Sequence, residues 1–152
     1  EGHACKMKQV LGFKGKFHFL SNFEPCEVVF EGVKYPSTEH AYQASKTLDL
    51  NIRKLYLLVN ASKAKRMSKN IKVREDWAEI RTSVMEGLLR QKFSRGTDLG
   101  ARLMELADYE IWEANWWHDN FWGSCTCDKC GNKGENVLGK LLMKLRDELL
   151  ST

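Results

Sequence analysis

The spacing of apolar residues along the chain predicts a mainly helical protein. In residues 75–92, and again after Asn136, apolar residues recur every three or four positions. This period places them on one face of an α-helix, so we expect both faces in the core and Asn136 as the N-cap of the second helix. The apolar positions are Trp77, Ile80, Val84, Leu88 and Leu89 in the first helix and Leu138, Leu141, Leu142, Leu145 and Leu149 in the second.

Other segments predict shorter helices and a small sheet. Aromatic and β-branched residues fill 13–35, where 26–30 followed by Gly32 predicts a strand and a turn. The run 37–39, a hydroxyl pair before a carboxylate, predicts a helix start, and that helix should continue to about Leu48. Further helices are predicted over 51–59, 62–68 and 97–107, with a strand over 109–113. The predicted fold class is α+β, a predominantly helical single domain with a small antiparallel sheet.

Composition and length favour one globular domain. Of the 152 residues, 43% are hydrophobic, 29% are charged and only two are proline. No stretch approaches the roughly 20 apolar residues of a membrane span, and a secretory pattern is missing, so we expect a cytoplasmic protein without a membrane partner. Residues 1–6 precede the first methionine, and we interpret them as an expression remnant before a domain of residues 7–152.

The formal charge of +4 is a mild excess, concentrated within residues 63–74. Such a basic run could attract phosphate groups electrostatically. A solvated helix face is the alternative, and the pattern favours it. The residues concerned are Lys63, Lys65, Arg66, Lys69, Lys72 and Arg74.

Three polar residues of the helix predicted after Pro36 share one arc. A rotation of about 100° per residue brings Glu39, Gln43 and Lys46 to the same side, with Glu39 and Lys46 about 10 Å apart along the axis. Two long side chains at that spacing could converge on a sugar-sized ligand. An ordinary solvated stripe is the alternative, and the helix alone favours it.

Residues 113–123 combine two carboxylates, two amides and a histidine with four aromatic side chains. Aromatic rings stack on bases, and neighbouring carboxylates and amides hydrogen-bond a ribose, so this composition is typical of a nucleotide site. Trp116 and Trp117 could equally belong to the core. We expect Trp122, beside Gly123, to face a ligand.

Cys125, Cys127 and Cys130 crowd into six positions, a spacing unlike that of a disulfide framework. A structural zinc site needs four ligands, so His118 or Cys26 would have to complete it. We expect thiols in a surface loop rather than zinc, because the usual pair of Cys-x-x-Cys motifs is missing, and we interpret His118 as a hydrogen-bonded structural residue.

Several motifs occur in order along the chain: 19–23, 37–46, Trp77 with Arg81 and Met85, Lys92-Phe93, Glu113, 119–123 and 136–146. Together they resemble the NADAR domain family of YbiA-like proteins over nearly the whole sequence. The resemblance implies a YbiA-like fold and an N-glycosidase that breaks a ribose C1–N bond without a cofactor. It implies a small-molecule phosphoribosyl or ADP-ribosyl substrate, either a phosphoribosylamino-pyrimidine intermediate of riboflavin synthesis or ADP-ribosylated guanine, with ADP-ribosylated DNA left open.

The resemblance also implies roles for individual residues. Lys46 would attack the sugar C1 and hold it as a Schiff base, Glu39 would move protons, and Asp119 would stabilise charge at C1. Lysine attack requires a neutral amine, so Lys46 should be shielded from solvent. The implied substrate-binding residues are Ser21, Asn22, Phe23, Gln43, Glu113, Trp122, Gly123, Asn136 and Arg146, the last as a phosphate ligand or, alternatively, in an interhelical salt bridge.

Two other functions stay open from the residues. The basic run and the nearby aromatics also suit a non-catalytic module that binds nucleotides, ADP-ribose or nucleic acid. A structural interaction domain is the third possibility. In this sequence residues 125–133 replace a shorter glycine-rich link found in many relatives, which could reshape the mouth of the pocket.

Overall fold

The computed structural model describes residues 8–151, and the proposed expression remnant lies outside them. The strands of the described part are β1 (Lys8–Leu11), β2 (Pro25–Phe30), β3 (Val33–Ser37), β4 (Tyr109–Trp112), β5 (Ala114–Asn115) and β6 (Ser124–Cys125). Its α-helices are α1 (Thr38–Ala44), α2 (Leu50–Leu55), α3 (Ala61–Met67), α4 (Trp77–Lys92), α5 (Asp98–Met104) and α6 (Val137–Leu150). Within 8–151, none of the helices has the length and apolar character that a bilayer crossing requires.

The α+β class is confirmed, but the predicted sheet is only part of the β-structure. Strands β2 and β3 form the expected antiparallel hairpin, whose turn residues Glu31 and Gly32 both have positive φ. In the described part, β1 also pairs with β4 and β5 with β6, and both of these pairs are parallel. The predicted small antiparallel sheet is present as β2–β3, and the two parallel pairs were not predicted.

The domain divides into two compact units. The central unit is Asn22–Ser94, and the terminal unit joins Glu1–Ser21 to Arg95–Thr152. In the central unit, α1 packs against β2, β3, α3 and α4. All seven residues of α1 are buried as a result.

Helix α1 ends at Ala44, four residues before the predicted end. The Ser45 hydroxyl donates to the Tyr42 carbonyl at 2.6 Å, and the Lys46 amide bonds three residues back, which tightens the last turn. The Lys46 carbonyl then accepts a hydrogen bond from the Arg74 amide at 2.7 Å, outside the helix. Lys46 consequently lies in the turn that follows α1.

The core of α4 differs from the predicted apolar face. Leu88 and Leu89 are buried as expected, together with Met85, whereas Trp77, Ile80 and Val84 are only half-buried. A lysine, Lys92, is buried one turn beyond the leucines. Periodicity thus located the helix but not the edge of its buried face.

In the terminal unit, α6 packs against α5 and β4. Four leucines of its predicted stripe, at 138, 141, 142 and 145, are buried, and Leu149 is half-buried. The predicted capping by Asn136 is wrong. Asn136 occupies the N-cap position with φ of 52°, but its side chain makes no capping bond and instead bridges Ile111 and Glu113 of the β4–β5 segment.

Candidate functional site

Glu39 is a buried acid on α1, with only 6% of its surface exposed. Its carboxylate oxygen Oε2 accepts a hydrogen bond from Gln43 Nε2 at 2.7 Å, one helical turn away. Burial raises the pKa of Glu39 above its ordinary value, and the Gln43 bond and the charges of Lys65 and Lys46 only partly offset this effect. The protonated carboxyl is therefore favoured to a higher pH than in an exposed glutamate.

Lys46 is half-buried in the turn after α1. Its Nζ lies 5.4 Å from the centre of the Tyr42 ring, and that ring packs at 5.2 Å against Trp77. Burial lowers the pKa of Lys46, the charges of Lys65 and Arg81 lower it further, and Glu39 acts in the opposite direction. The neutral amine required for nucleophilic attack is thereby favoured.

These observations decide between the two interpretations of the polar arc. The solvated stripe is wrong for Glu39 and Gln43, which are 6% and 4% exposed. The single helical arc is also wrong, because Lys46 lies beyond the end of α1. Glu39 and Lys46 nevertheless influence each other electrostatically, so the acid and the amine act in one local environment.

Buried polar atoms near Glu39 have no hydrogen-bond partner among residues 8–151: Asn22 Oδ1, Gln43 Oε1 and Thr38 Oγ1. Asn22 is tied to this neighbourhood because its carbonyl accepts from the Glu39 amide at 3.0 Å and its side-chain amide approaches Met85 Sδ at 3.6 Å. Buried acceptors are normally satisfied by protein, water or a ligand. The two amide oxygens are suited to receive hydroxyl donors.

A cleft of about 610 Å³ also lies in the central unit, beginning at Thr47, the residue after Lys46. Its charged lining residues are Lys72, Arg74, Asp49, Glu75 and Asp76, and the Arg74 guanidinium is held by Asp76 at 2.6 Å. This volume falls in the range of small-molecule sites. The cleft therefore offers space of small-molecule size close to the Lys46 turn.

In the terminal unit, much of the 113–123 loop is shaped by its own polar groups. Asn115 Nδ2 donates to the Asp119 carbonyl at 2.8 Å, and Asp119 Oδ1 accepts from the amides of Phe121 and Trp122. The Glu113 side chain is buried beside Gly123, where a Cβ atom would collide with it. Asp119 and Asn115 thus have structural partners, whereas Gly123 provides room for Glu113.

The tryptophans of this loop separate into two groups. Trp116 and Trp117 are 75% and 44% exposed, and their rings meet edge to face at 5.7 Å. Assignment of these two to the core is therefore wrong. Trp122 is half-buried against Phe121, with ring centres 4.8 Å apart.

Arg146 is buried, and its guanidinium is used by the terminal unit itself. Nη1 donates to the carbonyls of Leu106 and Tyr109, and Nε donates to Asp147 at 2.9 Å. The predicted alternative of an interhelical salt bridge is wrong, because the carboxylate that Arg146 binds is Asp147, the next residue of the same helix. These bonds tie α6 to the α5–β4 connection and leave the phosphate role of Arg146 a prediction without structural support.

Lys92 is a residue whose importance sequence reasoning missed. It is 1% exposed, and burial lowers its pKa to about 8, with Cys26 and Glu24 acting in the opposite direction. The sequence contained an indication, since Lys92 follows Leu88 and Leu89 at helical spacing and belongs to one of the ordered motifs.

His118 lies with Cys125, Cys127 and Cys130 in a cluster that could hold a metal ion. One ligand atom from each residue lies within 4.8 Å of the other three. The structure therefore places the histidine, rather than Cys26, with the three cysteines.

Comparison with known proteins gives the family. The family model described as the NADAR domain matches residues 11–150. An N-glycosidase YbiA of Shigella boydii is 35% identical over 133 residues, which cover 86% of this chain and 80% of that protein. The solution structure of Escherichia coli YbiA superposes with a TM-score of 0.79 at 30% identity, covering 97% of this chain and 88% of that one. The chain belongs to the NADAR domain family.

Another relative is longer. A riboflavin biosynthesis protein of Vibrio vulnificus is 38% identical over 134 residues, but the chain spans only 35% of that protein's length. The predicted enzyme class, a hydrolase of N-glycosyl bonds, is confirmed at the level of the family, because relatives matched over most of their length are named N-glycosidases.

Proposed function

We propose that this chain is an N-glycosidase that hydrolyses a ribose C1–N bond through Lys46 and Glu39. The observation that carries the proposal is the opposite shift of two interacting groups: the pKa of buried Glu39 is raised, and that of half-buried Lys46 is lowered. An acid that keeps its proton and an amine that loses one are the pair that such a reaction needs.

The reaction follows from these two protonation states. Lys46 Nζ attacks C1 as the C1–N bond breaks, and the Glu39 carboxyl gives its proton to the departing nitrogen. The Glu39 carboxylate then takes a proton from the new Nζ–C1 adduct and gives it to the ring oxygen as the ring C1–O bond breaks, which leaves a protonated Schiff base and a hydroxyl at the former ring oxygen. Water adds to C1 and displaces Nζ, so the net products are the free base and the ribose compound.

Sugar recognition is assigned in the proposal to the polar atoms beside Glu39. Asn22 Oδ1 and Gln43 Oε1 are buried acceptors, and ribose hydroxyls are donors that would satisfy them. The cleft at Thr47, which is of small-molecule size, would accept a further portion of the substrate. Phe23 follows Asn22 directly and is proposed to line the same sugar site.

The two substrate classes of the proposal are phosphoribosylamino-pyrimidine intermediates of riboflavin synthesis and ADP-ribosylated guanine, free or in DNA. The name of the Vibrio relative favours the first. Glu113, Asp119, Trp122 and Ser21 belong to the terminal unit and stay predicted ribosyl-binding residues.

Product analysis tests the proposal. The chain is incubated with a phosphoribosylamino-pyrimidine, with ADP-ribosylated guanosine and with ADP-ribosylated DNA, and the released base is measured by chromatography. We expect turnover of at least one substrate, loss of that turnover in Lys46→Met, and retention in Lys54→Met, which replaces an exposed lysine of the same unit. Release of no base from any of the three would overturn the proposal.

The alternative is a non-catalytic binding module. The exposed side chains of Lys63, Lys65 and Lys69 are compatible with contact to phosphates. DNA affinity that falls steeply with salt, combined with no turnover of the three substrates, would favour this function over the enzyme.

A further inference from the structure

The loop after β6 brings its cysteines back toward the 113–123 loop. The Cys125 amide donates to Asn120 Oδ1 at 2.8 Å, and the Asn132 amide donates to the Cys125 carbonyl at 3.0 Å. The Gly131 amide donates to the Cys127 carbonyl at 2.9 Å. These backbone bonds close a compact turn and point three sulfur atoms into one small volume.

The histidine nitrogen completes this volume. His118 Nδ1 lies 3.4 Å from Cys130 Sγ and 3.6 Å from the sulfur atoms of both Cys125 and Cys127. With Zn–S bonds of about 2.3 Å and Zn–N bonds of about 2.0 Å, ligand atoms at tetrahedral angles are about 3.5 Å apart across each nitrogen–sulfur edge. The three observed distances match that edge.

The local backbone also suits a metal-binding turn. The Cys130 amide donates to Cys127 Sγ at 3.4 Å, which stabilises a thiolate at Cys127 and orients it. Gly131, directly after Cys130, has φ of 65°, and His118 has φ of 68° in the left-handed region that favours glycine. Coordination through Nδ1 would compensate the strain at His118.

We propose that His118, Cys125, Cys127 and Cys130 bind one structural zinc ion. Four ligands fill the tetrahedron, so the site has no open position for substrate or water and is not catalytic. Three thiols would release their protons on binding, and soft thiolates with one imidazole select zinc over magnesium or calcium. The ion would clamp the loop carrying Asp119 and Trp122 to the turn after β6.

The sequence alone favoured free thiols over zinc because the ligands are unevenly spaced. Cys125 and Cys127 are separated by one residue, Cys127 and Cys130 by two, and His118 comes from the preceding loop. The Asn120 bond to the Cys125 amide helps to bring the histidine-bearing loop to the cysteines. The sequence left His118 and Cys26 open as the fourth ligand, and the structure selects His118.

The site is tested by metal analysis of the full chain purified with a thiol-free reductant. We expect about one zinc per chain in the wild type and less than about a tenth of that in Cys127→Ser and Cys130→Ser. Cys26→Ser replaces a half-buried cysteine of the other unit and should retain the zinc. Zinc content unchanged in both loop variants would overturn the proposal.

Cobalt substitution keeps the test independent of whether the variants fold. The reduced wild type titrated with Co²⁺ should develop the visible absorption of tetrahedral cobalt with thiolate charge-transfer bands, saturating at one equivalent. His118→Ala should change the band positions and weaken binding at least tenfold. Absence of these bands in the wild type, or a disulfide within the loop that persists after reduction, would contradict a zinc site.

Discussion

Gln43 Nε2 donates a 2.7 Å hydrogen bond to Glu39 Oε2 across one turn of the buried helix α1. The bond stabilises the carboxylate form, and burial opposes it more strongly, so the pKa of Glu39 stays raised. This relationship connects the packing of α1 to the proposed chemistry. Close packing provides the desolvation, and Gln43 limits its effect.

Replacement of Gln43 by Leu should move the pH profile of the enzyme. Without the donor the pKa of Glu39 rises further, so the acid keeps its proton to a higher pH. The high-pH limb of kcat that reports Glu39 should shift upward. The exposed Gln91, bonded to Val29 in the hairpin, provides the control, because Gln91→Leu should leave that limb in place.

Replacement of Glu39 by Gln should separate activity from stability. We expect kcat to fall by about 10²-fold or more, because a positioned general acid is lost. Because the pKa of Glu39 is raised in the folded chain, protonation of Glu39 stabilises the folded state. This stabilisation is fully present below about pH 4.5, the ordinary pKa of the carboxyl, and is lost as pH rises through the pKa of Glu39 in the folded chain.

Glu39→Gln should consequently be at least as stable as the wild type at pH 7. Its free energy of unfolding should change less between pH 4 and pH 8 than that of the wild type. Urea unfolding at several pH values measures this difference. A strongly destabilised Glu39→Gln at neutral pH would show that the carboxylate, not the acid, is the form that the fold prefers.

The lowered pKa of Lys92 predicts that the free energy of unfolding depends on pH in the alkaline range. Its pKa of about 8 in the folded chain lies below its ordinary value of 10.5, so the folded state binds its proton more weakly than the unfolded state. The free energy of unfolding should therefore rise as pH increases from about 8 toward 10.5, by an amount on the order of a few kcal/mol.

In Lys92→Met this rise should disappear, because the titrating group is gone. The exposed Lys54 offers a matched variant, Lys54→Met, that should keep the wild-type slope. Equal slopes in wild type and Lys92→Met between pH 8 and 10 would refute the shifted pKa.

Two glycines predict opposite effects of the same substitution. A Cβ at Gly123 would collide with the Glu113 carbonyl and carboxylate and approach the Asn115 amide at 2.8 Å, so Gly123→Ala should destabilise the protein by about 2 kcal/mol or more. At Gly87, within α4, a Cβ meets nothing within 4 Å, and Gly87→Ala should stabilise by roughly 0.5 to 1 kcal/mol. Thermal unfolding of both variants checks the signs.

The sequence predicted the positions of helices and of the hairpin better than it predicted which strands pair. Periodicity located α4 and α6, and the glycine turn located the β2–β3 hairpin, because both depend on local spacing. Strand β1 pairs with β4, which is distant in sequence, and β5 and β6 have only two residues each, so no local pattern indicates either parallel pair.

The candidate site shows the same division. The sequence grouped Glu39, Gln43 and Lys46 on one helical arc, but α1 ends before Lys46. This early end depends on the Ser45 hydroxyl and on the Arg74 amide that binds the Lys46 carbonyl. The partners of Asn136 and Arg146 are backbone groups of the β4 region, which side-chain chemistry alone does not identify. Their burial and bonding emerge only from tertiary packing.

Trapping of the covalent intermediate tests the central claim most directly. Borohydride is added during turnover of the substrate found by product analysis, and peptide mapping by mass spectrometry locates any sugar adduct. We expect a ribosyl adduct on Lys46 in the wild type and in Lys54→Met, and none in Lys46→Met. Continued release of base with no adduct on Lys46 would contradict the covalent route and leave direct hydrolysis assisted by Glu39.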